Sequence, residues 1–354
     1  MLVEAMGALL SVHSSADAVR EAERSGFRSG LWAALVEAGF TRISLPVAAG
    51  GSGGDLADER IALQVLGGFA APVPVAEDGM LGAWALHHAG LEIPAGLLTV
   101  STTVGRDRVE AVPAPGGWTL SGRLARVPFA AEAGAVVVPA TGPDGEELLV
   151  AVRAGMGRRE PGTNIAGEPR DTVVLDQVAV PSEHVALAPP GVSAQDLRRR
   201  GAVARAALIS GALARVVELT ADYTAERQQF GRPIVRFQAV AHLLVEVAEH
   251  ARLAQVATGV AFANAESGPN VFDAATVKIV AGEAARGAAR AAHQAHGAIG
   301  MTREYELGGL TRRLWSWRDE FGSDRQWSLE LGQQIAGRPA EQLWPLIADG
   351  VRTP

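Results

Sequence analysis

Cysteine is absent from all 354 residues. That absence excludes disulfides, cysteine-bound metal sites and thiol nucleophiles, and is compatible with a reducing compartment. A basic excess is absent too. The net charge is −7, and phosphate backbones call for a basic stripe, so nucleic acid is not expected as a partner. No apolar run approaches the ~20 residues needed to span a bilayer. Met1 to Ser11 is mildly apolar, but Glu4 interrupts it and no basic stretch precedes it. No signal peptide is therefore expected, and the chain reads as cytoplasmic with no membrane partner. No Gly-x-Ser-x-Gly follows a strand pattern, so Ser-His-Asp catalysis has no support. Internal repeats are lacking, as is low complexity beyond a bias to Ala and Gly.

What is present divides by period. Residues 1–95 read as helices: Asp17 to Ser25, an amphipathic Leu31 to Ala38 stopped by Gly39, Ala57 to Ala71, and Met80 to His88. The Gly-rich Pro46 to Gly54 reads as a connector, since neither a following Lys nor a strand–turn–helix frame marks a phosphate cradle. From Leu97 to about Leu187, short Val-, Leu- and Thr-rich runs alternate with Gly, Pro and Asp. Pro115-Gly116-Gly117 and Pro143-Asp144-Gly145 supply turn signals. The remainder is helical again: Arg198 to Thr224, Phe237 to Ala265, Val271 to His296 and Thr311 to Trp317. Small residues along Val203, Ala207, Ser210 and Ala214 allow close helix approach. The expected fold is α+β multidomain: an N-terminal helical domain (1–95), a middle antiparallel β domain (96–190) and a C-terminal four-helix bundle (191–354).

The stretch from Tyr223 to Val247 organises the rest. It reads as a helix ended by a tight turn at Gly231 and Pro233, with Gly231 tolerating the left-handed cap, and a new helix with Phe237, Val240, Leu244 and Val247 on one buried face. The turn gathers Arg227, Gln229, Phe230 and Gln238. A planar guanidinium meets two oxygens of a pyrophosphate at once, and a ring flanked by amides suits a flat heterocycle. The plainer alternative is a helical hairpin with a solvated Arg and a core Phe.

Arg227-Gln228-Gln229-Phe230-Gly231, followed by Gln238, resembles the Arg-x-x-Phe-Gly arm of acyl-CoA dehydrogenases. Gln294-Ala295-His296-Gly297-Ala298-Ile299-Gly300, followed by Glu304-Tyr305, is similar to a second motif of that family. Two motifs in order are more specific than either alone. Weaker echoes lie in Leu31 to Gly54 and Asp171 to Val185. The resemblance implies FAD as cofactor, held across a subunit boundary by Arg227, Gln229, Phe230, Gln238, Gln294, Gly297, Ala298 and Ser323. It implies an acyl-CoA substrate that loses a proton to a carboxylate base, a tetrameric assembly and an electron-transfer flavoprotein-type acceptor.

The sequence departs from the family at decisive points. Its two usual positions for the catalytic Glu are occupied here by Phe321 and Gly201. Glu320 is the nearest candidate base, though one residue of shift turns a helical side chain by about 100°. Asp319 and Glu320 also read as a solvated acidic pair among Arg312, Arg313, Arg318 and Arg325. The segments that align with the family's flavin bed are Thr99 to Thr103 and Arg126 to Ala130. Ser101, Thr102 and Thr103 retain hydroxyls, whereas Val127-Pro128-Phe129 offers no side-chain donor. An intact arm beside a degraded bed resembles the shorter subunit of two-chain, α2β2 actinobacterial-type members, which act on bulky substrates including steroid side-chain thioesters. A non-catalytic assembly subunit and a flavin oxidase or monooxygenase are the alternatives. His293 and His296 lack a third ligand, so no metal is expected. Lys278 reads as a snorkelling surface side chain, and Trp315, Trp317 and Trp327 as core or interface anchors.

Overall fold

The computed structural model describes residues 1–102, 108–265 and 268–349. Helices α1 (Leu2–His13), α2 (Ala16–Ser25), α3 (Ser29–Glu37) and α4 (Leu56–Gly68) open the chain. A π-helical segment, Ala76–Ala83, runs into α5 (Trp84–His88). Eight strands follow: β1 (Leu98–Val100), β2 (Val109–Ala114), β3 (Gly117–Pro128), β4 (Ala135–Thr141), β5 (Glu147–Arg153), β6 (Arg158–Glu160), β7 (Arg170–Pro181) and β8 (Val185–Leu187). Then come α6 (Ala194–Glu226), the short strands β9 (Gln228–Gln229) and β10 (Arg232–Pro233), α7 (Gln238–Ala263), α8 (Val271–His296), α9 (Glu306–Trp317), α10 (Asp324–Ala336) and α11 (Leu343–Asp349). By compactness the chain forms two units. One comprises Met1–Arg20, Arg60–Ala71 and the chain from Ala202 onward; the other comprises Glu21–Glu59 and Pro72–Gly201.

The second unit is built on one sheet in the order β6-β7-β3-β2-β4-β5-β8, with β1 paired to β4. Most pairings are antiparallel; β4 runs parallel to both β1 and β2. Val109, Leu120, Leu124, Val138, Val150 and Leu175 alternate inward into one apolar cluster, as a period-2 pattern requires. Pro115-Gly116 closes the β2–β3 hairpin with Gly116 at φ 80°, where a side chain would be strained. The β3–β7 register shifts twice, and the non-glycine residues at positive φ, Arg126 and Gln177, sit at those bulges. Where periodicity expects an ordinary helix over Met80 to His88, the chain forms the π segment. It draws Glu77 and Asp78 inside. Asp78 receives both arms of Arg42 (2.8 and 3.1 Å) and the Leu98 amide (2.7 Å). Burial pushes its carboxyl above the usual range while Arg42 opposes the shift.

The first unit is helical and packs through absent side chains. A Cβ on Gly211 of α6 would lie 1.8 Å from the Gln64 carbonyl oxygen of α4, and one on Gly67 of α4 would lie 2.1 Å from that of Leu208. The small-residue stripe is therefore a helix crossing, as its composition leads one to expect. Gly211→Val is expected to lower stability by about 2–3 kcal/mol, the cost of overpacking against rigid backbone, measured as a shift in the denaturant midpoint. On the other side of the bundle, α8 presents a run of buried alanines, among them Ala281, Ala285, Ala288 and Ala292. Gly287 lies under the His250 ring of α7.

Lys278, read from sequence as a surface residue, is fully buried in α8. Its Nζ donates to the carbonyl oxygens of Trp317 (3.1 Å) and Arg318, capping the end of α9. The cause of the correction is the alanine-rich surround, which leaves no route for the stem to reach water. Burial lowers its pKa to about 7, against the pull of Glu320. Unfolded, the amine titrates near 10.5. Between those values the unfolded chain binds the extra proton, so this residue adds stability as pH rises from about 7 toward 10.5. Lys278→Met should remove that contribution. The wild-type-minus-variant difference in Tm is expected to grow from pH 7 to pH 9 (about the midpoint of that window); a flat difference would refute the assignment.

Candidate functional site

Residues of α6 beyond Tyr223 lead into an exposed hairpin of the first unit. The helix ends at Glu226, and the Arg227 amide still donates to Tyr223 (2.9 Å). Gln228 and Gln229 then pair with Pro233 and Arg232 in a two-stranded ladder, closed by Ile234 N–H donating to Arg227 O at 2.8 Å. Phe230 and Gly231 form the two-residue loop, with φ 51° and 75°, a mirror-image turn suited to a hairpin. Gly231 is thus a hairpin residue rather than the helix cap expected from sequence, because the chain has four more residues to turn in. Placing a phenylalanine at φ 51° costs about 1 kcal/mol, and strain of that kind persists where the surroundings or a ligand require it.

The ring so placed is 92% exposed. It meets the Phe237 ring edge-on at 5.9 Å, and the Arg232 guanidinium covers Phe237 at 4.2 Å. Phe237 therefore props the hairpin from the N-cap of α7 instead of entering the bundle core. Arg227, Gln229 and Gln238 are exposed beside it. The plain alternative, a core Phe, does not hold.

At the other end of α8, Gln294, Gly297 and Ala298 are exposed as well. Gly297 has φ 63° and ψ −140°, backbone that only glycine adopts readily. Behind this turn His296 is stacked on Tyr223 (4.6 Å, 16°), tying it to the base of the hairpin. His296 Nδ1 lies 2.8 Å from Ala292 O and Nε2 lies 3.3 Å from the Tyr305 hydroxyl. Nδ1 therefore carries a proton and donates it to the Ala292 carbonyl. Burial holds the His296 pKa below the ordinary value. His293 bonds Thr311 at 2.9 Å, so both histidines serve the turn. Among the described residues no three His, Cys, Asp or Glu side chains cluster as metal ligands.

The remaining expected site residues lie elsewhere. Asp324 touches α8 at Gly282, and twelve residues separate Gly282 from Gln294, a distance of about 18 Å along the helix. Beside it Ser323 caps α10 in a reciprocal box with Gln326. Glu320 is buried and accepts from Arg205 Nε at 2.6 Å, while Asp319 is exposed. The acidic pair is thus split: one member is solvated and the other is locked into an ion pair. The Arg205 guanidinium also covers the Phe321 ring at 5.2 Å. Sequence reasoning missed Arg205, although an Arg inside the apolar run of α6 was a usable signal.

In the second unit, the Thr99 hydroxyl donates to Pro128 O at 2.6 Å. Phe129 is buried at φ 48° against Phe27 (5.9 Å) and beneath Arg170 (5.7 Å). These groups satisfy one another and leave few donors for a flavin. Ser101 is buried and Thr102 partly so; Thr103 falls outside the described residues. The hairpin and the Gln294 turn fit a dinucleotide, whereas the chain's own β-domain bed does not.

Residues 1–93 match the family model for the acyl-CoA dehydrogenase N-terminal domain, and residues 196–324 that for the C-terminal domain. Acyl-CoA dehydrogenase IpdE2 of Mycolicibacterium smegmatis is 28% identical over 99% of this chain and 97% of its own length. IpdE2 of Mycobacterium tuberculosis is 29% identical over 87% of each. Among solved structures, a chain of the ChsE4-ChsE5 complex from Mycobacterium tuberculosis shares the fold, with a TM-score of 0.89 at 24% identity over 96% of this chain and 97% of its own. A chain of the Tcur3481-Tcur3483 steroid ACAD gives 0.83 at 28% identity over 95% and 96%. With family models matched at both ends and a relative aligned almost from end to end, this chain belongs to the acyl-CoA dehydrogenase family, oxidoreductases acting on the CH–CH bond of acyl-CoA thioesters.

Proposed function

We propose that the chain is a subunit of an FAD-dependent acyl-CoA dehydrogenase and that its Tyr223–Phe237 hairpin completes the FAD site of a neighbouring chain. One observation carries the reading: a strained, almost fully exposed Phe230, set beside Arg227, Gln229 and Gln238 and propped on its own chain by the Phe237 edge. Arg227 would pair with the pyrophosphate, Phe230 and Gln229 would flank the ring system, and Gln294, Gly297 and Ala298 would receive the dinucleotide backbone. When bound, FAD supplies the hydride-accepting chemistry of the dehydrogenation. Leu253, Val256 and Val260, each exposed by half or more along α7, support a further subunit contact and hence a tetramer.

We read the partner as a second acyl-CoA dehydrogenase-like chain that carries the base and the flavin bed, as the two-chain names of the solved relatives bring to mind. The substrate would be an acyl-CoA, bulky and of steroid type, as in the Tcur3481-Tcur3483 steroid ACAD. Electrons would leave to an electron-transfer flavoprotein-type acceptor in the cytoplasm. Residues 1–95, 96–190 and 191–354 would be the three functional segments. The buried Arg205–Glu320 pair favours a structural role for Glu320 over that of base. The test is purification of the chain alone and after co-expression with a neighbouring paralogue. A flavin spectrum in the oligomer supports the reading, and colourless protein from both preparations ends it.

A further inference from the structure

The first unit contains a cavity of about 980 Å³ that the flavin reading does not use. Its walls come from α1, α2, α4, α6, α7, the segment of Arg303 and Tyr305, and the start of α9. It lies on the opposite face of α6 from Arg205: Ser210, Ala214 and Val217 are turned roughly 120–180° away from that residue. The void exists because small residues face it from several helices. A Cβ added to Gly7 of α1 would meet nothing within 4 Å, and Ala214, Ala248 and Ala251 add no bulk. Its size lies in the range that encloses a small organic ligand.

The lining has two characters. Val3, Ile61, Val65, Phe69 and Val217 give an apolar body. The polar part holds serines, Gln64, Gln255 and Tyr305, and its charged members are mostly cationic: five arginines against two glutamates, Glu218 and Glu306, in a chain whose net charge is −7. Both glutamates are already engaged by Arg215, Glu306 through a two-point fork at 3.1 Å and Glu218 at 3.0 Å. Arg252 donates only to the neutral Gln255, at 2.7 Å, and Arg303 makes no ion pair among the described residues. Arg252 and Arg303 are exposed and engage no carboxylate among the described residues, so two guanidiniums stand available at the mouth of an apolar chamber, a pairing that suits an anionic head attached to an apolar body.

We propose that this cavity binds a small anionic amphiphile, its head held by Arg252 and Arg303 and its apolar body lodged among Ile61, Val65, Phe69 and Val217. The site is independent of the flavin: it shares no residue with the hairpin or the Gln294 turn. The head is a carboxylate or a phosphate, since both match a guanidinium fork.

Calorimetric titration of the full-length chain, alone and in its native complex, tests this with laurate, dodecyl phosphate and dodecanol as probes. The anions are expected to bind and the alcohol to bind at least about tenfold more weakly; the tighter anion identifies the head. A Cβ at Gly7 meets nothing within 4 Å, so Gly7→Leu projects into the void and improves helix propensity; an unchanged Tm, measured beside binding, separates filling of the void from loss of fold. The substitution should weaken both anions about tenfold or more and leave the flavin content of the complex unchanged. Arg252→Ala with Arg303→Ala should weaken the anions by a similar factor and leave dodecanol as it was. No binding of either anion, equal binding of the alcohol, or full binding by Gly7→Leu each overturns the proposal.

Discussion

Arg227→Ala is expected to strip the flavin from the assembly, weakening FAD binding about a hundredfold. That is the loss typical of a charge-assisted contact removed from a desolvated interface, roughly 2.7 kcal/mol. The guanidinium is exposed in the isolated chain, so its removal creates no void and breaks no ion pair. Stability of the chain itself should move by less than about 0.5 kcal/mol. Arg227→Lys separates charge from shape. An ammonium keeps the attraction but loses the two-point fork, so an intermediate loss is expected. Fluorescence titration of FAD into the apo-complex measures both. Unchanged affinity in Arg227→Ala would mean that the hairpin serves something other than a dinucleotide.

Arg205→Ala and Glu320→Gln are expected to act on folding rather than on turnover. Both partners are buried, with Nε and Oε2 2.6 Å apart, and Lys278 titrates under the influence of both. Removing one partner of a buried pair leaves the other charge without its counterion and costs about 3–5 kcal/mol. Replacing both at once, as Arg205→Met with Glu320→Leu, should recover much of that loss, because desolvation offsets most of the attraction in such pairs. Chemical denaturation of the four proteins gives the cycle. Turnover of the folded Glu320→Gln complex, assayed well below its melting point, should match wild type. If instead turnover vanishes while stability and flavin content hold, Glu320 is the base after all.

The hairpin was legible because its information is local. Arg227, Phe230 and Gly231 sit within five residues of one another, and their spacing alone brings a cation and a ring together. The sheet strands were legible for the same reason, since alternation and turn residues mark each run. Three-residue β6 and β8 were not, because they are too short to show a period. Lys278 and Arg205 could not be placed from sequence neighbours. Their partners, Trp317 and Glu320, are 39 and 115 residues away, and whether a long cation reaches water or a carbonyl depends on packing. The π segment was hidden by the same limit. Nothing near Glu77 and Asp78 in the sequence announces that Arg42 and the Leu98 amide reach Asp78 from elsewhere in the unit. At Gly231 the local signal was correct in kind, a left-handed glycine, and misleading in role.

Native mass spectrometry of the complex purified under mild conditions tests the central claim most directly, since it reports chain composition and bound flavin together. The expected result is FAD carried only by species of two or more chains, with every monomer of this chain flavin-free. FAD retained on the monomer, or intact oligomers that hold none, would contradict it.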